Sequence, residues 1–175
     1  MACSNQTLNG IGVPCEGSVG GIVEVYIAPW ADDIYTYDTS SASTGEVTAV
    51  NSAVTWSVYH FRKNSSNFSS QLTVDAANGV NFVETTVNLV FSRMDTVKRV
   101  EMNALALADM AVIVKDSNGK RWCLGLSEPV NASSGSGESG TAKTDGNRFS
   151  ISLVDSSANF VPALAENVTL KTNED

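Results

Sequence analysis

The chain has 175 residues, 42% of them hydrophobic, and carries 19 acidic against 11 basic side chains for a formal net charge of −8. That length suits one domain burying roughly 70% of the surface its unfolded chain exposes, so no disulfide or metal staple is required. The charge works against a general nucleic-acid reader, because phosphates are repelled wherever charge is unscreened.

Residues 1–20, "MACSNQTLNGIGVPCEGSVG", fit no period of 2 or 3.6 and read as an irregular arm. They hold neither a charged n-region nor an apolar h-region, and no run in the chain approaches ~18 apolar residues. The expectation is synthesis in a cytoplasm and no membrane partner. Cys3, Cys15 and Cys123 are too irregularly spaced for a zinc pattern and too few for a disulfide framework.

From residue 21 onward the sequence predicts a single domain. In "IVEVYIAPW", Val23, Val25 and Ile27 alternate with Ile22, Glu24 and Tyr26 as in a strand with one buried face, and Pro29 ends its ladder. "VTWSVYHFR" places Val54, Trp56 and Val58 on one line, and "FSSQLTV" does the same for Phe68, Leu72 and Val74. In "NFVETTVNLVF" the stripe Val83, Thr85, Val87, Leu89 and Phe91 faces away from Glu84, Thr86 and Asn88, giving a long strand with a wet side. The period changes once, in "SRMDTVKRVEMNALALAD": Met94, Val97, Val100, Ala104, Leu105 and Ala108 recur at helical steps. Ser92 is placed to cap this helix of about four turns, Asp95 favours its positive end, and its apolar stripe is expected to lie across a sheet. "MAVIVKDSNGKRWCLGL" reads as a hairpin around a tight Asn118-Gly119 turn. The tract 133–147, rich in Ser and Gly, reads as a flexible insertion, and "RFSISLV" as a further strand. About seven to nine strands and one helix without βα alternation predict a mostly β fold, an antiparallel β-sandwich or barrel with one α-helix packed against it.

Chemistry is sparse. His60, the only histidine, ends the line of Val54, Trp56 and Val58; a catalytic triad there would need geometry that abundant Ser and Asp do not supply. "GSGESG" lacks the strand-to-helix junction and Lys-Ser/Thr pair of a phosphate loop. The expectation is no enzyme, no catalytic residue, no metal and no cofactor. An exposed platform of Trp30, Tyr35, Tyr37 and the Asp32-Asp33 turn leaves a carbohydrate-binding module as the alternative.

The long strand with one polar face, the single helix, "VIVKDSNGKRWCLG", the insertion and "DGNRFSISL" together resemble the tail-tube-like structural proteins of tailed bacteriophages, and more narrowly tail or neck ring proteins of the crAss-like group. The resemblance implies a virion structural protein, made in the host cytoplasm and residing in the tail or neck. It implies a homo-oligomeric ring of roughly six or twelve copies around a channel, in contact with other tail or neck proteins, through which DNA passes without specific binding. Under it, Glu84, Thr86 and Asn88 face the channel. Ser133, Ser134, Gly135, Ser136, Gly137, Glu138, Ser139 and Gly140 meet a neighbouring subunit.

Overall fold

The computed structural model describes residue 11, residues 17–37 and residues 45–174. Most of the expected N-terminal arm, Cys3 and Cys15 included, lies outside the described residues.

Ten strands and one helix follow in the order β1 (Ile22–Pro29), β2 (Tyr35–Tyr37), β3 (Val47–Val50), β4 (Ser57–His60), β5 (Asn67–Asp75), β6 (Val80–Ser92), α1 (Thr96–Leu107), β7 (Met110–Asp116), β8 (Arg121–Leu124), β9 (Asn131–Glu138) and β10 (Arg148–Ser157). Two four-stranded antiparallel sheets, β4-β1-β7-β8 and β5-β6-β10-β9, form a sandwich, and β2-β3 makes a small third sheet. The predicted class holds as a sandwich; among the described residues no barrel closes.

The core between the sheets joins Val25, Ile27, Val112, Val114 and Leu124 to Val87, Leu89, Ile151 and Leu153. Each such side chain contributes about 1.5–3 kcal/mol by leaving water. Aromatic pairs clasp the margins, Tyr59 and Phe61 against Phe91 at 5.9 and 5.3 Å and Phe68 against Trp122 at 6.2 Å. The sheet β4-β1-β7-β8 also buries its other face. There Ala28, Ala111, Ile113 and Cys123 meet Ile34, Val47 and Trp56, with Leu164 and Leu170 from the C-terminal segment. That segment enters by isolated bridges, Leu164 beside Val47 and Thr172 beside Trp56.

Several local expectations give way to local physics. The register of β1 slips between Ile22 and Glu24, so Ile22 is buried and Val23, expected inward, is exposed; a bulge adds one residue and flips the faces beyond it. The helix starts later than expected. Ser92 ends β6, and Asp95 is the N-cap, its carboxylate accepting from the Lys98 N–H at 2.8 Å. Only Leu105 of α1 is buried; Met102 packs beside it, while Val97, Val100 and Leu107 stay in water. The 117–119 hairpin is present, but only Gly119 has positive φ, at 86°. Gly119 N–H donates to the Asp116 carbonyl, and Asp116 Oδ1 accepts from the N–H groups of Asn118 and Lys120. A three-residue loop ending in a left-handed glycine replaces the two-residue turn, because that carboxylate satisfies the extra donors.

The largest departure is in the Ser/Gly tract, whose first half is strand β9, paired with β10 from Arg148↔Glu138 to Val154↔Asn131. Its glycines have a packing reason. A Cβ on Gly137 would stand 2.9 Å from Phe149 Cε1 and 3.2 Å from Met94 Cε, and one on Gly135 would face Met102 Cε at 3.8 Å. Small residues let α1 and Phe149 close over this edge. The loop that follows is organised by Asp145, whose Oδ2 accepts from the N–H groups of Thr141 and Ala142 at 3.0 and 2.8 Å.

Candidate functional site

Sheet β5-β6-β10-β9 turns one face to the core and the other away from it. Because side chains alternate, the buried set Val83, Thr85, Val87 and Leu89 fixes Glu84, Thr86 and Asn88 on the outward face. The register then carries that face across all four strands. Asn67, Asn88, Ser152 and Ser134 form one row, and Gln71, Glu84 and Ser156 another. Ser152 Oγ donates to Asn88 Oδ1 at 2.7 Å, and the hydroxyls of Ser136 and Ser150 lie 2.8 Å apart. Hydroxyls and amides thus dominate the middle of this face, two pairs of them hydrogen-bonded across strands, with Val90 and Val154 at their side and Glu84 exposed among them.

The resemblance implies one role for Glu84, Thr86 and Asn88 and another for residues 133–140, and the structure brings parts of both sets onto one sheet. Ser134 and Ser136 share the outward face with Asn88; Gly135 and Gly137 point to the side covered by α1; Ser139 and Gly140 lie in the loop beyond β9. Ser133 is the extra residue where the β9-β10 register shifts, its Oγ donating to the Ser152 carbonyl. Residues 133–140 are all exposed. β10 adds Ser150 and Ser152, which were not selected although the alternation of "RFSISLV" carried the signal, and Ser156 just beyond that stretch.

Both margins of this sheet are unpaired among the described residues, β5 on one side and β9 on the other. Neither strand contains a Lys, Arg or Pro, the devices that commonly blunt an edge. The β5-β6 hairpin also overshoots the sandwich. Leu72 and Val74 share the inward face with Phe68 as expected, yet they are exposed, and so are Val80 and Phe82.

The remaining candidates are held in structural contacts. His60 Nε2 lies 3.2 Å from Glu174 Oε1 and its Nδ1 3.8 Å from Glu24 Oε1, so both ring nitrogens face carboxylates. Burial works to raise the Glu24 carboxyl, but hydrogen bonds from Lys115 and Tyr26 outweigh it and hold the group below its usual range. Burial and that same Glu24 contact push Tyr26 up to about 12. Of the aromatic residues at 30–37, Trp30 Nε1 donates to the Gly125 carbonyl at 2.9 Å, the Tyr35 hydroxyl is turned inward to the carbonyls of Leu124 and Val112, and Tyr37 is exposed. Cys123 is fully buried and its thiol is pushed far up by that burial. Asp155, buried at 3% exposure, accepts from the Gly125 N–H at 3.1 Å. Among the described residues no three potential ligands gather for a metal, and no helix is long and apolar enough to cross a membrane. Comparison with family models, curated proteins and solved structures found no significant match.

Proposed function

We propose that this chain is a virion structural protein of a tailed bacteriophage, a tail-tube-like or neck-ring subunit that closes with its own copies around the DNA path. The observation that carries the reading is the sheet β5-β6-β10-β9, with one uncovered polar face and two long unpaired edges. Such edges present rows of free N–H and C=O groups that pair readily with another strand. Pairing β5 of one copy with β9 of the next is a heterologous contact, which closes into a ring when the rotation per subunit allows. The outward face, bearing Glu84, Thr86 and Asn88, then lines the lumen, and α1, on the opposite side of the sheet, lies outside it. A lumen rich in neutral hydroxyls and amides, in a chain of net charge −8, gives DNA little to adhere to along most of its path. The reading assigns no catalytic step and no cofactor. It places residues 133–138 in the subunit contact, and other tail or neck proteins at the ring's ends.

The test is assembly. Rings are expected in negative-stain images of the concentrated protein, alone or with the phage's other tail and neck proteins. Ser134→Lys with Ser136→Lys is expected to abolish them while leaving the circular dichroism melt unchanged. A wild-type chain that sediments as a monomer under all those conditions overturns the reading. The carbohydrate alternative draws no support from a platform whose Trp30 and Tyr35 are bonded inward.

A further inference from the structure

Several of the chain's cations are tied down singly, at separate places on the surface. Lys98 pairs with Asp95, Lys115 with Glu24 and Lys120 with Glu166, while the Arg121 guanidinium donates to the carbonyls of Ala165, Glu166 and Val168. At one place basic side chains gather instead. Arg62, Lys63, Arg93 and Arg148 line a single cavity of about 500 Å³ together with Asn64 and Asn147, and no carboxylate lines it. Four of the 11 basic residues of an acidic chain therefore share one site. Among the described residues Arg62, Lys63 and Arg93 have no ion-pair partner. Arg148 meets Glu138 at 3.2 Å in a pair more than half exposed on both sides, a contact that solvent screens and a phosphate can displace.

The cluster is also held in place. Its members come from three separate segments: the loop after β4, the end of β6 and the start of β10. Arg93 N–H donates to the Asn147 carbonyl at 2.8 Å, and the Asn147 side chain accepts from Met94 N–H at 3.3 Å. Ser65 closes the first loop onto the Arg62 carbonyl through its N–H and its hydroxyl. Asn64 (φ 61°) and Arg93 (φ 65°) are the two non-glycine residues with positive φ among those described, and both line this cavity. A non-glycine residue is strained there, and such strain concentrates at ligand sites.

We propose that this cavity binds phosphate groups of a nucleic-acid backbone. Guanidinium groups match phosphate oxygens in bidentate geometry, and the lining amides add neutral donors. The cavity lies at one end of the open sheet face, where Arg148 pairs with Ser92 and Val90 forms part of the wall. A polymer lying along the hydroxyl face reaches it. Naming DNA as the source of the phosphate rests on the channel reading above; the anion chemistry of the cavity does not. Under that reading the lumen repels DNA along most of its length and holds it at one cationic rim.

Two probes test the site on the full chain: inorganic pyrophosphate, followed by amide NMR shifts, and a short labelled DNA duplex, followed by anisotropy across a salt series. Both are expected to bind, with shifts confined to residues 62–65, 93 and 147–148. Arg62→Gln with Arg93→Gln is expected to weaken duplex binding about tenfold or more and to flatten the salt slope by about 2. Lys120→Gln with Lys171→Gln, a matched charge change elsewhere, is expected to do neither. Pyrophosphate binding without duplex binding removes nucleic acid as the ligand. Binding of neither probe, or an equal loss in the control, removes the site. Negative-stain images of the Arg62/Arg93 variant are scored separately: rings that form without binding DNA overturn only this site, whereas a wild-type chain forming no rings overturns the channel reading.

Discussion

The two large sheets have equal strand numbers and opposite uses. In β7 the run Met110, Ala111, Val112, Ile113 and Val114 is buried throughout, because β4-β1-β7-β8 has a core on each side. In β6 the buried residues Val83, Thr85, Val87 and Leu89 alternate with residues facing water. A continuous apolar run therefore marks the sheet that holds the molecule together, and strict alternation marks the sheet left free to meet something else.

Substitutions can break or sharpen that contrast. Ile113→Ala, deep in the second core, is expected to cost about 2–5 kcal/mol in urea unfolding. Gly125→Ala follows, at about 3 kcal/mol: Gly125 sits at φ +85°, and a methyl there would lie 3.2 Å from the Met110 carbonyl oxygen. Asp155 links the two sheets through Gly125, and burial lifts its carboxyl to about 6, the Gly125 N–H lowering it and Glu128 raising it further. Between 3.8 and 6 the unfolded chain gives up this proton and the folded chain keeps it. The group's contribution is therefore full at low pH and declines as pH rises through that window. Asp155→Asn, which keeps an acceptor for Gly125, is expected to gain on the order of 2 kcal/mol near pH 8 and almost nothing near pH 3, as read by melting across pH. On the free sheet face, Glu84→Gln is expected to move stability by less than about 0.5 kcal/mol.

What the sequence disclosed follows the same division. Alternation in β6 and β10 gave their faces correctly because a half-buried strand is its own signature. Val23 misled, since a bulge changes the period without changing residue types. Ser and Gly have weak strand propensity, so β9 was illegible: it is a strand because β10 offers a ladder and Phe149 and Met94 close over its glycines. The stripe on α1 was visible, but nothing in it revealed that only the side bearing Met102 and Leu105 would be covered. The cationic cavity was hidden for a simpler reason: Arg62, Arg93 and Arg148 are far apart in the chain, and only folding makes them neighbours.

The overhang of β5 and β6 has its own consequence. β6 runs 13 residues, while β4 and β8 across the sandwich run four each, so the far end of the hairpin is a cantilever. Its root is anchored by Val83 and Val87, and its tip contributes almost nothing to holding the root. Cutting back residues 72–82 to a tight reverse turn is expected to leave the melting temperature within a few degrees, by calorimetry, while removing four exposed apolar side chains, Leu72 and Val74 on one face of the hairpin and Val80 and Phe82 on the other. Core burial and exposed apolar surface therefore reside at opposite ends of the same two strands, and a change in the length of one end need not disturb the other.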